Sequence, residues 1–212
     1  MSKIFYIKKR VFSLFLILST TFLYATTNNP YIIEHDDLLD SRAAGKIYEI
    51  GSEVQSKLGV NIYVYAKENY DISMEIDIKD KLEKIKTIEN DLVKDLNKPY
   101  VVLTMAIDQT HVNLLMSDDL KQILDKNDIL NGYVVPLLAS KDKNTLYAKT
   151  SAAILNGYAE IADRLALSKN VVLDSSIGSG GRTAGTIWKV LMYFLVFGGI
   201  ILYTYAVMKQ RK

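Results

Sequence analysis

All 24 acidic residues of this 212-residue chain lie between Glu34 and Asp174, while both ends are basic and strongly apolar. The first 25 residues hold Lys3, Lys8, Lys9 and Arg10, and everything from Ile187 onward holds Lys189, Lys209, Arg211 and Lys212. Removing those ends leaves 18 of the 26 Lys and Arg residues against 24 Asp and Glu, so residues 26–186 carry a net charge of −6. The overall value of +2 is an average over unlike parts. An acidic middle between basic apolar ends is the pattern of a domain carried across a membrane and then held to it. Charge and compartment both argue against a nucleic-acid partner.

At the start, Lys8-Lys9-Arg10 precedes a short, mostly apolar run, Val11–Leu23. A positive segment followed by such a run is a secretory signal, too short to span a bilayer comfortably. Residues 1–25 are read as a signal peptide cleaved after Ala25, or as an uncleaved anchor. At the other end, Val190–Val207 is uncharged. Its eighteen residues make about 27 Å of helix, near a hydrocarbon core of about 30 Å. Residues 187–208 are therefore the expected transmembrane helix. Trp188 and Tyr193 lie toward one interface and Tyr203 and Tyr205 toward the other. The charges of Lys209, Arg211 and Lys212 place the tail, 209–212, in the cytoplasm. The expected address is a bacterial inner membrane, crossed once by this helix, with an extracytoplasmic domain. The chain has no cysteine, so disulfides, zinc-thiolate sites and cysteine nucleophiles are ruled out.

The exported part is long enough for one core. Leu39, Ala43, Ile47, Ile50, Val54 and Leu58 make a helical stripe starting near Asp36 or Asp37 and stopped by Gly59. Val60–Ala66 reads as an inner strand. Ile78, Leu82, Ile85, Leu92 and Leu96 form a second stripe, with Lys79, Lys81, Lys84 and Lys86 outward. Tyr100–Ile107 and His111–Met116 make a hairpin that turns Val112, Leu114 and Met116 inward and leaves His111 and Asn113 on the opposite face. Ser117, Asp118 and Asp119 offer caps for a short helix. Pro136 breaks the segment Ile129–Ala139, and a last helix covers about Asn144–Leu167. The resulting expectation is an α/β fold over residues 31–168, a single three-layer α/β/α-type domain with a small mixed sheet. A Gly/Ser-rich flexible tether, 169–186, joins it to the span.

This order of elements resembles the TPM-domain family, small α/β domains exported and tethered beside membranes, which include relatives of the thylakoid-lumen photosystem-repair phosphatase-like proteins. The resemblance runs from about Tyr31 to Leu167. It is carried by DDLLDSRAAGKIYEIGSEVQSKLGVNIYVYA, YVVLTMAIDQTHVNLLMSDDLKQIL and SAAILNGYAEIADRLA. Two places depart from the family pattern: Leu96-Asn97-Lys98-Pro99 replaces a Gly-rich entry to the strand, and Leu115-Met116-Ser117-Asp118 replaces a Gly-x-Gly-like segment after the hairpin. The resemblance implies the fold and location above. It also implies a role in maintaining membrane complexes and, for some members, acid phosphatase activity or calcium binding.

The residues themselves offer little catalytic machinery. His35 and His111 are the only histidines, and neither HExxH nor GxSxG occurs. For Ca²⁺ or another divalent cation, the metal-ligating candidates are Asp36, Asp37, Asp118 and Asp119, because hard cations take several oxygen ligands. All four also stand at expected helix starts, where a carboxylate complements the helix dipole without any metal. Two functions are therefore carried forward. One is a binding, assembly or maintenance factor for an envelope protein complex, anchored in the lipid bilayer by the C-terminal helix. The other is a weak divalent-metal-dependent phosphatase.

Overall fold

A computed structural model describes residues 29–73, 75–178 and 192–198. The expected signal or anchor, the tail and most of the expected span lie outside them. Residues 192–198 are helical, with the side chains of 192–197 exposed, and among the described residues no helix is long and apolar enough to cross a membrane.

The fold is a mixed α/β domain with a four-stranded sheet and five helices. In chain order the elements are β1 (Ile32–Glu34), α1 (Ser41–Leu58), β2 (Asn61–Lys67), α2 (Ile78–Leu92), β3 (Tyr100–Ala106) and β4 (His111–Met116). A 3₁₀ turn (Asp118–Leu120), α3 (Lys126–Ile129), a π turn (Leu130–Val134), α4 (Val135–Leu138) and α5 (Leu146–Ser168) follow. The spatial order is β1-β2-β3-β4, parallel from β1 to β3, with β4 antiparallel to β3. The three-residue strand β1 extends the expected sheet by one edge strand.

Alternation along the strands divides the two faces. Ile62, Val64, Leu103, Met105 and Leu114 turn toward α1 and α5, where Ile47, Ile50, Ile154, Tyr158 and Ile161 are buried with them. Each such aliphatic side chain contributes about 1.5–3 kcal/mol on full burial. On the other face Tyr65 and Ala106 pack with Tyr70, Ile72, Ile85 and Ile88, so α2 and the loop before it cover that side. The three parallel strands step in one direction, yet α1 and α2 lie on opposite faces. Two right-handed crossovers stepping the same way would share a face, so one of these two is left-handed. The consequence is uneven cover: α1, α3, α4 and α5 crowd one face and α2 serves the other.

Three expectations are corrected. The first helix begins later than Asp36 or Asp37, at Ser41, because those two residues have φ of 37° and 58° and cannot form a helical first turn. Asp40 caps it instead: its Oδ1 accepts from the Ala43 N–H at 2.8 Å, and its Oδ2 accepts from Ser151 Oγ at 2.9 Å, which ties α1 to α5. In α2, Ile78 and Leu82 are exposed (73% and 56%), not inward. Ile85 packs with Ala106 at the very end of β3, so the preceding turns of α2 run on past the sheet. Finally, the stretch read as tether is docked through Ser176. Leu173 is buried, and Glu53 accepts from the Asp174 and Ser175 N–H groups at 2.8 Å each and from Ser175 Oγ.

Candidate functional site

In open sheets of this kind, ligands gather at the carboxyl ends of the parallel strands. Here that end is built from the residues after β1 and β2 and from the β3–β4 turn. Asp36 Oδ2 accepts from the Glu68 N–H at 3.1 Å, joining the ends of β1 and β2. Glu34 pairs with Lys67 at 3.2 Å. Asn69 Nδ2 donates to Asp108 at 2.9 Å, and Gln109 Nε2 donates to Asn69 Oδ1 at 2.9 Å. Gln109 Oε1 accepts from the Tyr70 N–H at 3.2 Å. The hairpin turn is thus fastened to the loop after β2, and the carboxylates Asp36 and Asp108 hold these loops in place.

Beneath α2 lies a polar centre that the sequence reading did not single out. Glu89, only 4% exposed, projects from α2 onto the sheet. Its Oε1 accepts from Thr104 Oγ1 at 2.5 Å and meets His111 Nε2 at 2.9 Å, and its Oε2 accepts from Asn113 Nδ2 at 2.5 Å. Burial pushes this carboxyl up, but the hydrogen bonds from His111, Thr104 and Asn113 outweigh it and hold Glu89 below its usual value. Because the carboxylate accepts, His111 Nε2 carries the proton that faces it. Tyr70 packs edge-on to the His111 ring, with centroids 6.4 Å apart, and burial pushes its phenol upward. The signal was present in the sequence. Glu89 follows Ile85 by four residues, one turn along the inward stripe, and His111 and Asn113 are the polar strand residues of the face it meets.

His111 also lines a cavity of about 420 Å³, walled mainly by Met105, Val112, Val135, Leu138 and Leu146. A larger open cleft of about 950 Å³ lies toward the other end of β4, between Leu114–Met116, Asn90 and the loop from Lys121 to Asn127.

The four aspartates proposed as ligands are not brought together. Asp36 and Asp37 follow β1, at the carboxyl end of β2, whereas Asp118 and Asp119 follow β4, beside the amino end of β3. The seven residues of β3 separate the two pairs by about 20 Å at the usual rise per residue. Asp118 pairs with Lys121 at 2.7 Å, which holds its carboxyl below the usual range. Among the described residues, no group of three or more His, Asp or Glu side chains is arranged to hold a metal ion.

No protein-family model matches the chain, and no curated protein matches it. Among solved structures, the chain is similar in fold to the N-terminal domain of a protein from P. gingivalis, determined in solution by NMR. The likeness has a TM-score of 0.51 at 14% identity, over 68% of this chain and 86% of that one. It supports the mixed α/β fold.

Proposed function

We propose that this chain is a TPM-type three-layer domain, exported and tethered at a bacterial inner membrane by its C-terminal apolar segment, which binds an envelope protein and serves that protein's complex as an assembly or maintenance factor. The observation that carries the reading is the exposed amino-terminal half of α2. Ile78 and Leu82 belong to the helix's apolar stripe, yet the sheet ends before it can cover them. Large apolar side chains left outside in this way mark a contact surface. Exposed Lys79 and Lys86 border them, a polar rim of the kind that surrounds an interface core. The segregation of charge along the chain supports the location, and the bilayer is the second partner.

The separation of Asp36 and Asp37 from Asp118 and Asp119 gives the metal-dependent phosphatase no ligand set built from all four, so the binding reading is preferred.

The test uses the full chain in its own membranes. Mild detergent extracts are sized on native gels for wild type and for the Ile78→Asp, Leu82→Asp double variant. Wild type is expected in a complex larger than one copy, and the variant is expected to run free of it with an unchanged melting temperature. A wild-type chain that migrates alone, or a variant that stays in the complex, overturns the reading.

A further inference from the structure

The exposed half of α2 carries a charge pattern as well as an apolar pair, and the two together specify what fits against it. Lys79, Leu82 and Lys86 follow one another at spacings of three and four residues, so they form one row along the helix, with Ile78 beside it. All four side chains are exposed. Asp80 and Glu83, the acidic residues of the same turns, face away. They line an open groove of about 510 Å³ against Tyr70, Ile72 and Ile76, together with Lys84. Among the described residues neither Lys79 nor Lys86 belongs to an ion pair. Two ammonium groups without a direct partner therefore border the apolar pair, in a domain whose net charge is −6.

Spacing sets the geometry of a complementary surface. Seven residues of helix put Lys79 and Lys86 about 10 Å apart along the axis of α2. Two carboxylates seven residues apart on a second helix share that separation on one face, with an apolar position between them three or four residues along. An extended strand covers about 10 Å in three residues, an odd step that turns the two side chains to opposite faces. A lipid surface is the poorer match. Helices that lie on bilayers have a strongly basic polar face, whereas α2 sets Lys79, Lys81, Lys84 and Lys86 against Asp80, Glu83, Glu89 and Asp91.

We propose that Ile78, Lys79, Leu82 and Lys86 receive an acidic amphipathic helix of the partner protein, its apolar stripe on Ile78 and Leu82 and its carboxylates on Lys79 and Lys86. This rests on the reading of that face as a protein contact and adds to it the charge and secondary structure of the partner.

The probe is a helical peptide whose leucines are flanked by glutamates seven residues apart, compared with the same peptide carrying lysines in their place. Each is dye-labelled and titrated onto the full chain in lipid nanodiscs, with binding read by anisotropy. The glutamate peptide is expected to bind saturably, and the lysine peptide many-fold more weakly. Raising salt from about 0.1 to 1 M shortens the screening length from about 10 to 3 Å and is expected to weaken the glutamate peptide several-fold. Lys79→Glu and Lys86→Glu are each expected to do the same, whereas Lys84→Glu, on the groove side, is expected to leave binding unchanged. All three positions are exposed, and an unchanged melting temperature checks that the variants fold. No binding of the glutamate peptide, equal binding of both peptides, or equal effects of the three substitutions overturns the proposal. Protection of residues 78–86 from amide exchange by phosphatidylglycerol in the nanodisc, with no peptide present, assigns the face to anionic lipid and overturns it too. The native complex separates this failure from that of the contact surface. A complex lost with Ile78→Asp and Leu82→Asp, yet unmoved by Lys79→Glu, Lys86→Glu and 1 M salt, leaves the surface standing and removes the acidic helix.

Discussion

Glu89 and His111 meet 2.9 Å apart under α2, and because the same carboxylate also takes Thr104 and Asn113, one helix side chain is joined to both strands of the hairpin. Replacing it leaves three donors unpaired in a buried site. Glu89→Ala is expected to destabilise the domain by at least about 1–3 kcal/mol, the cost of leaving a buried donor unpaired. Urea unfolding at neutral pH measures it.

The same network sets a pH dependence. The folded-state value of Glu89 lies below its unfolded value of 4.5, so its contribution is complete above that pH and is lost as the pH falls through the lowered value. The stability gap between wild type and Glu89→Gln is therefore expected to hold from neutral pH down to 4.5 and to shrink as the pH falls below it. A gap that stays constant would contradict the assignment of a carboxylate here.

The helix glycines separate into two kinds. A Cβ on Gly51 would come within 2.5 Å of the Tyr158 hydroxyl and 2.6 Å of the Tyr31 ring, and one on Gly157 within 2.6 Å of Val134. Nothing lies within 4 Å of the same position on Gly45. Gly45→Ala is expected to raise stability by up to about 1 kcal/mol, whereas Gly51→Ala and Gly157→Ala should each lower it by about 1–3 kcal/mol through overpacking. Melting temperatures of the three variants decide the matter.

Exposure on α2 makes a contrast one turn apart. Leu82→Asp is expected to change stability by no more than about 0.5 kcal/mol, while Ile85→Asp, at a position only 3% exposed, should prevent folding. Equal damage from both would mean that Leu82 is covered in the folded domain.

The segment after α5 is held by Glu53, whose folded value falls to about 2: burial raises it, and bonds from Lys57, Ser175 and Asp174 lower it further than burial lifts it. By the same sign rule, this attachment is complete above pH 4.5 and weakens between there and about pH 2. Glu53→Gln is expected to speed amide exchange at Asp174 and Ser175 at neutral pH with little change in the core. Unaltered exchange would show that Glu53 is not what holds the segment.

The helices and the hairpin could be read from periodicity because each packs an aliphatic stripe, such as Ala43, Ile47, Ile50, Val54 and Leu58, against a sheet. Four features were not read this way. The start of α1 depended on Asp36 and Asp37 adopting left-handed conformations, which their polar side chains permit but do not announce. The fate of Ile78 and Leu82 depended on how far the sheet extends beneath α2, a tertiary length that no stripe encodes. Glu89 was passed over because an acid in a lysine-rich helix reads as a solvated face, and only the strand residues opposite it reveal a buried role. The four aspartates looked alike in sequence because each stands near a helix start, although the topology places them at opposite ends of the sheet.

Asn113 does more than complete the Glu89 network. While its amide nitrogen reaches under α2, its oxygen accepts from the Leu114 N–H at 2.8 Å, a group on the uncovered side of β4. A second chain approaching that strand would find a central donor already taken, and at the opposite margin β1 offers only three residues. The sheet is therefore self-terminating: at neither margin does it offer another copy a long, free ladder along which to polymerise.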